Sequence, residues 1–340
     1  MNPRRAWLVI AALAVTLLAV ALGVATLLES RTRAFAGFRG LAIWKIDVHE
    51  QADPEVLGAA VNWAASQGIL GVVNLAGGHA GGGLERQLEA ARRFPGRVVV
   101  FMVLDPEGCC DAAWADRESA RLVSGRSLGA RGVHVPRDLA GPDGAPVPLD
   151  APALEPVWEV VEGLGLPVAV HPGEGPDGTA QLGRLLDRRP GVRFLAAGMA
   201  GLADDPAALS ALLAAHPNLL VDTAGSVDAL GRRPDAAREL LTTHADRVLY
   251  GSDLLWVQGP RPEQRALVLG EGPPVRSGEE VRRFFESTWR FLETRDPSIP
   301  PVRPETAGTL GGVGLPRDVL ERIYRGNAQR LLGFGDLGDR

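Results

Sequence analysis

The chain has 340 residues, 46% hydrophobic and 23% charged, with a formal net charge of −5. That balance is ordinary for a globular protein and excludes a disordered chain or a strongly basic nucleic-acid binder. Lys45 is the only lysine, the remaining Lys/Arg positions all being arginine, which excludes a Walker A phosphate loop and any lysine Schiff-base chemistry away from position 45.

The first feature in chain order is "AWLVIAALAVTLLAVALGVATLL", Ala6–Leu28, a run without a single charge. At about 1.5 Å rise per residue it is long enough for the roughly 30 Å hydrocarbon core of a bilayer. A cleaved signal peptide has a shorter apolar core, about 7–15 residues; that alternative would use "AFA" at 34–36. Arg4 and Arg5 precede the run and favour a cytoplasmic N-terminus. The expectation is a membrane anchor over residues 1–30, a linker over 31–40 and a globular domain over 41–340 outside the cytoplasm.

From residue 41 the sequence alternates β-rich runs with helical stretches. The runs are "LAIWKIDVH" (41–49), "ILGVVNLA" (69–76), "RVVVFMVLD" (97–105), "RGVHV" (131–135), "PVAVH" (167–171), "VRFLAAG" (192–198), "NLLVDTA" (218–224) and "RVLYGSD" (247–253). Eight such runs, each followed by a helical segment, predict a (β/α)₈ TIM-type barrel behind one N-terminal transmembrane helix. An open doubly wound sheet is the runner-up. The glycine loop "GGHAGGG" (77–83) lacks dinucleotide-binding spacing, and adjacent Cys109 and Cys110 read as two thiols, because neighbouring Cα atoms sit too close for a standard disulfide. Residues 254–277 read as a long irregular lid-like loop, 296–316 as a Pro- and Gly-rich segment, and "RDVLERIYRGNAQRLL" (317–332) as a final helix.

Chemistry in such a barrel sits at the C-terminal strand ends. Strand one ends in "IDVHEQ", whose Asp47, His49 and Gln51 alternate and are expected to face the mouth together. Strand four offers His134, strand five His171 with Glu174 behind it, and strand eight Asp253, while Gly198 closes strand six. His49, His171 and Asp253 can converge on one divalent cation, since imidazole nitrogens with a carboxylate suit zinc, iron or manganese. His216 and His244 end helices and read as capping cations. Arg137 reads as a solvated arginine beside Asp138, and Trp256 as packing.

The blocks "IDVHEQ", "GARGVHVPRDL", "LGLPVAVHPGE", "NLLVDTAG", "DRVLYGSD" and "IYRGNAQRLL" resemble, in this order, the amidohydrolase-related family, the decarboxylase-like branch of the amidohydrolase superfamily. The likeness runs over roughly residues 41–334. It implies a barrel holding one divalent metal, normally zinc, and a hydrolase or decarboxylating lyase acting on a small organic molecule. It also implies His49 and His171 as metal ligands and Asp253 as ligand or base. In this chain His134 or Glu174, which follow strand ends facing the same mouth, could complete the shell, and Asp253 and Glu174 are the candidate catalytic groups. Two departures stand out: Gln51 occupies the place of the second histidine of the family's D-x-H-x-H motif, and Gly198 the place of its strand-six histidine. With histidine rather than lysine at 134, a carboxylated-lysine bridge between two metals is not available. The alternative to an enzyme is a catalytically inactive barrel that binds a small ligand or a partner protein.

Overall fold

Ten strands lie in one curled sheet in the computed structural model, in the order β10-β9-β1-β2-β3-β4-β5-β6-β7-β8. Residues 40–111, 113–173, 175–258, 265–269, 278–303, 305–334 and 337 are described. The expected anchor, Ala6–Leu28, lies outside them, as do the 1–39 segment as a whole and Glu174. Among the described residues no helix is long and apolar enough to cross a membrane.

The eight expected runs become β1 (Lys45–Ala52), β2 (Ile69–Asn74), β3 (Val98–Val103), β4 (Gly132–His134), β5 (Val168–Val170), β6 (Phe194–Ala196), β7 (Leu219–Asp222) and β8 (Val248–Leu249). All seven successive pairings from β1 to β8 are parallel. The two ends of this run meet: the Val48 N–H donates to the Tyr250 carbonyl (2.9 Å), and the Asp253 N–H to the His49 carbonyl (3.0 Å). The result is a TIM-barrel-like α/β fold. Inside the curl Ile46, Val48, Val73, Phe101, Leu195 and Leu249 form one apolar cluster. A second, larger cluster fills the layer between sheet and helices.

The helices follow from apolar spacing. In Gly278–Glu293, Val281, Phe284, Phe285, Trp289 and Leu292 recur at three- and four-residue intervals and are buried, the stripe by which a helix docks on a sheet. Each large side chain so buried contributes about 1.5–3 kcal/mol.

Three expectations need correction. The stretch after strand eight is not wholly irregular: β9 (Leu254–Gln258) pairs with β1 in parallel and with β10 (Arg265–Leu269) antiparallel. The final helix is interrupted by a π turn over Arg322–Gly326, whose Ile323 carbonyl accepts the Tyr250 N–H (3.0 Å). Finally, β1 carries a bulge, since Asp47 pairs with Val72 and Glu50 with Asn74, three steps against two. The bulge interrupts the simple alternation between Asp47 and Glu50. Asp47 Oδ1 accepts the N–H groups of His49 and Ser252 (3.0 Å each).

Candidate active site

His49, His134, His171 and Asp253 come together where β1, β4, β5 and β8 end. His49 Nε2 is 3.5 Å from Asp253 Oδ1, and His134 Nε2 is 2.9 Å from His171 Nε2. The His171 ring stands edge-on to both others, with centroids 5.4 Å from His49 and 5.1 Å from His134. The four residues named from the strand ends thus form one cluster. Gln51 sits half-buried at the top of β1 without a side-chain hydrogen bond to any of them.

The cluster is organised by a residue that strand-end reading passed over. Asp222, the last residue of β7, is 1% exposed. Its Oδ2 accepts the Nδ1–H of His49 (3.0 Å), and its Oδ1 accepts the backbone N–H of Gly198 (2.9 Å) and of Ala224 (3.0 Å). His49 can reach Asp222 across β8 because the residue between them is Gly251. A Cβ there would lie 2.9 Å from His49 Cβ and 3.3 Å from Asp222 Cβ. The sequence signal was present: an acid at the C-terminal end of a strand is a mouth residue by position.

Gly198 therefore does more than mark a missing histidine. It opens a left-handed turn in which Gly198, Met199, Ala200 and Gly201 all have positive φ (57°, 56°, 55° and 73°). Met199 and Ala200 pay about 1–2 kcal/mol each for that conformation. The turn aims the Gly198 amide at Asp222. Asp253 is also left-handed, at φ 63°, and such strained non-glycine residues gather at functional sites.

Proton positions follow from the partners. Asp222 fixes a proton on His49 Nδ1. Burial opposes charge on the ring, but Asp222, Asp253 and Asp47 outweigh it and raise the pKa to about 9. His134 donates Nδ1–H to the Leu75 carbonyl (2.9 Å), so its Nε2 is the lone pair. Arg137 donates from Nε to His171 Nδ1 (3.1 Å), so the proton of neutral His171 lies on Nε2 and is donated to His134. Burial, then the His49 charge, lower His134 to about 4. Burial, then His134 and His49, push His171 lower still. Asp253 is raised, chiefly by burial. Arg137 is thus not merely a solvated partner of Asp138.

These tautomers decide which side chains fit a divalent cation. A ligating histidine holds one nitrogen's proton on a carboxylate or carbonyl and offers the other nitrogen. His134, through Leu75, meets that pattern; His49, held by Asp222, meets it only when its Nε2 gives up the proton that the surrounding acids favour, and that buried atom has no hydrogen bond. By donor type alone, these imidazoles and the Asp253 carboxylate are groups that suit a divalent transition metal. His171 presents an N–H instead. Among the described residues no three such side chains stand in a ready-made cage.

Beside the cluster, a small pocket includes Asp253, Arg303, Ser226, Thr288 and Phe284 in its wall. Asp228 holds the segment that carries Arg303, accepting the N–H groups of Val302 (2.7 Å) and Arg303 (3.1 Å). Arg303 Nη2 lies 3.9 Å from Asp253 Oδ2.

Residues 64–334 match the family described as Amidohydrolase. The chain belongs to that family. No curated protein matches it significantly, but solved structures do. An uncharacterized TIM-barrel protein from Bordetella bronchiseptica is 15% identical over 86% of this chain and 99% of its own, with a TM-score of 0.54. A dihydroxybenzoic acid decarboxylase from Polaromonas sp. JS666, with bound manganese and the inhibitor 2-nitroresorcinol, is 16% identical over 88% and 100%, at 0.52. The 5-carboxyvanillate decarboxylase of Sphingomonas paucimobilis is 15% identical over 86% and 100%, at 0.50. At these identities the likeness is one of fold.

Elsewhere, His216 and His244 occupy helix C-caps as expected. His244 is not a capping cation, however: burial lowers its pKa, and its Nδ1 accepts from Arg247 (3.0 Å). Cys109 and Cys110 are free, and Trp256 packs on Trp63 (centroids 5.5 Å).

Proposed function

We propose that this amidohydrolase-family chain is a cation-dependent hydrolase or decarboxylating lyase acting on a small organic molecule at the barrel mouth. One observation carries the reading: His49 Nε2 is buried without a hydrogen bond, 3.5 Å from the Asp253 carboxylate, while Asp222 holds the ring's other nitrogen. His49, His134 and Asp253 would hold the cation, zinc or manganese by donor type. When bound, it supplies Lewis-acid polarisation of a substrate oxygen.

The chain's own groups account for the rest. Asp222 keeps His49 in one tautomer and one orientation. Asp253, its affinity for a proton raised by burial, can hold or release a proton at Oδ1 on the face turned to His49. Arg303 borders the adjoining pocket and suits a substrate with an anionic group. Glu174 follows β5 in sequence and remains a second candidate for proton transfer.

A panel of small esters, amides and aromatic carboxylates, assayed with Mn²⁺ or Zn²⁺ for hydrolysis and for CO₂ release, tests the proposal and separates its two branches. Turnover should fall by about 10²–10⁴-fold in Asp253→Asn. A second reading, a binding protein without turnover, is favoured by Gln51 and Gly198 standing where the family has imidazoles; cation binding with no turnover across the panel would select it. We also infer that Ala6–Leu28 tethers the barrel outside the cytoplasm. Protease added to spheroplasts should then digest residues 41–340, and full protection would reverse that orientation.

A further inference from the structure

The loop that leaves β3 on the mouth side carries the chain's two cysteines next to each other. It makes two consecutive β-turns. The Cys109 N–H donates to the Pro106 carbonyl (3.1 Å) and the Asp111 N–H to the Gly108 carbonyl (3.2 Å). The third position of each turn has positive φ, 67° at Gly108 and 68° at Cys110. That conformation favours glycine. The first turn has one there, whereas the second places a thiol. The loop is pinned on both sides of the pair. Asp105 accepts the Glu107 N–H (3.0 Å) at Oδ1 and the Trp114 indole N–H (2.9 Å) at its carbonyl. Asp111 accepts the Ala113 N–H (2.8 Å) and pairs with Arg117 (3.0 Å). Cys109 is buried and Cys110 half-buried. Both thiols are free, and they are in hydrogen-bonding contact with each other.

We propose that Cys109 and Cys110 form a reversible redox site, a dithiol that a small-molecule disulfide converts into a ring disulfide between neighbours. The more accessible Cys110 attacks, as its thiolate, one sulfur of the small disulfide RSSR, breaking that S–S bond and releasing RS⁻. Cys109 then loses its proton, attacks the Cys110 sulfur and expels the second RS⁻. The two RS⁻ take up the two thiol protons, so the chain gives two electrons and two protons to RSSR and leaves two RSH. Burial pushes the Cys109 thiol up, which suits it to the second attack rather than the first. The ring joins Cα atoms only about 3.8 Å apart, closer than an ordinary disulfide allows. It is therefore strained and readily reduced, which makes the site reversible rather than a fixed cross-link.

The test is equilibration of the full-length chain with mixtures of reduced and oxidised glutathione, read by intact mass and by mass mapping of the tryptic peptide 98–117. The folded parent should lose two hydrogens within that peptide, carry no adduct, and regain them in dithiothreitol. Closure should need a mixture roughly tenfold less oxidising than the same chain requires in urea, because the pinned turns hold the sulfurs together. Cys109→Ala, lacking the resolving sulfur, should stop at a glutathione adduct on Cys110. In Cys110→Ala the buried Cys109 should gain an adduct roughly tenfold more slowly. The parent decides the question whether or not the variants fold. A folded parent that stays a dithiol, holds a glutathione adduct, cross-links between chains, or closes no more readily than in urea overturns the inference.

Discussion

The two halves of β1 (Lys45–Ala52) each bury a basic side chain, and they treat it in opposite ways. At the lower end Lys45 is 2% exposed; at the upper end His49 is 1% exposed. Lys45 Nζ donates to the Ile43 carbonyl (2.8 Å) and sits over the rings of Trp289 (4.3 Å) and Tyr324 (4.6 Å). Burial lowers its pKa to about 8, against the pull of Glu293. His49 is ringed by carboxylates, and its pKa moves up to about 9. The lower end engages its cation with π faces and a carbonyl, and nothing there is left to react. The upper end holds Nε2 buried without a hydrogen bond, 3.5 Å from the Asp253 carboxylate. One strand thus separates a structural cation from a chemical one, and the difference lies in the neighbours rather than in depth.

The sharpest way to break that contrast is Asp222→Asn. The amide's oxygen can still accept from Gly198 and Ala224, but its NH₂ would face His49 Nδ1 and drive the ring proton to Nε2. Cation affinity should drop by about 10–100-fold in a folded protein, read by calorimetry. Unchanged affinity would mean that Asp222 does not set the tautomer.

A smaller effect is expected at the turn that aims Gly198. With φ at +57° and a Cβ landing 3.1 Å from the Ala224 carbonyl oxygen, Gly198→His should lose about 1–2 kcal/mol of stability in urea. Restoring the family's histidine therefore means re-forming this loop. Ala200→Gly should move stability the other way by relieving a left-handed alanine. Equal melts for all three proteins would show that the turn is unstrained.

The smallest effect belongs to the lower end. A folded pKa of about 8 against 10.5 for an unperturbed lysine means that the unfolded state binds more protons between those values. The Lys45 contribution to stability should therefore rise as pH climbs from 8 to 10.5, against the loss that the raised pKa of His49 produces up to about pH 9. The two rings favour the ammonium by about 0.5–2 kcal/mol and so offset part of that gain. Lys45→Met should lack this slope while keeping cation affinity at the mouth, and a slope that persists in the variant would assign it to another group.

The parallel order of β1 to β8 was legible in the sequence because every run is apolar and every connection helical. His49, His134, His171 and Asp253 were legible because they end strands. What escaped depends on backbone detail that side-chain pattern does not encode. A one-residue bulge in β1 interrupts the alternation on which Asp47, His49 and Gln51 were set on one face. Asp222 sat within a block read as strand, and only the close approach allowed by Gly251 makes it the partner of His49. Gly198 read as an absence, since a backbone N–H carries no letter of its own. The hairpin of β9 and β10 was hidden because its strands lie in a stretch rich in glycine, proline and charge. The direction of the proton on His171 needed Arg137, a side chain from another loop.

The central claim is that the mouth of the barrel is a cation centre built on His49 Nε2 and Asp253. Crystals grown with Mn²⁺, measured at the manganese edge, test it most directly through the anomalous difference map. The account predicts one strong peak at about 2.0–2.3 Å from His49 Nε2 and from an Asp253 oxygen, with His49 Nδ1 still on Asp222. A map without a peak at the mouth, or with His49 Nε2 hydrogen-bonded to protein instead, would contradict it.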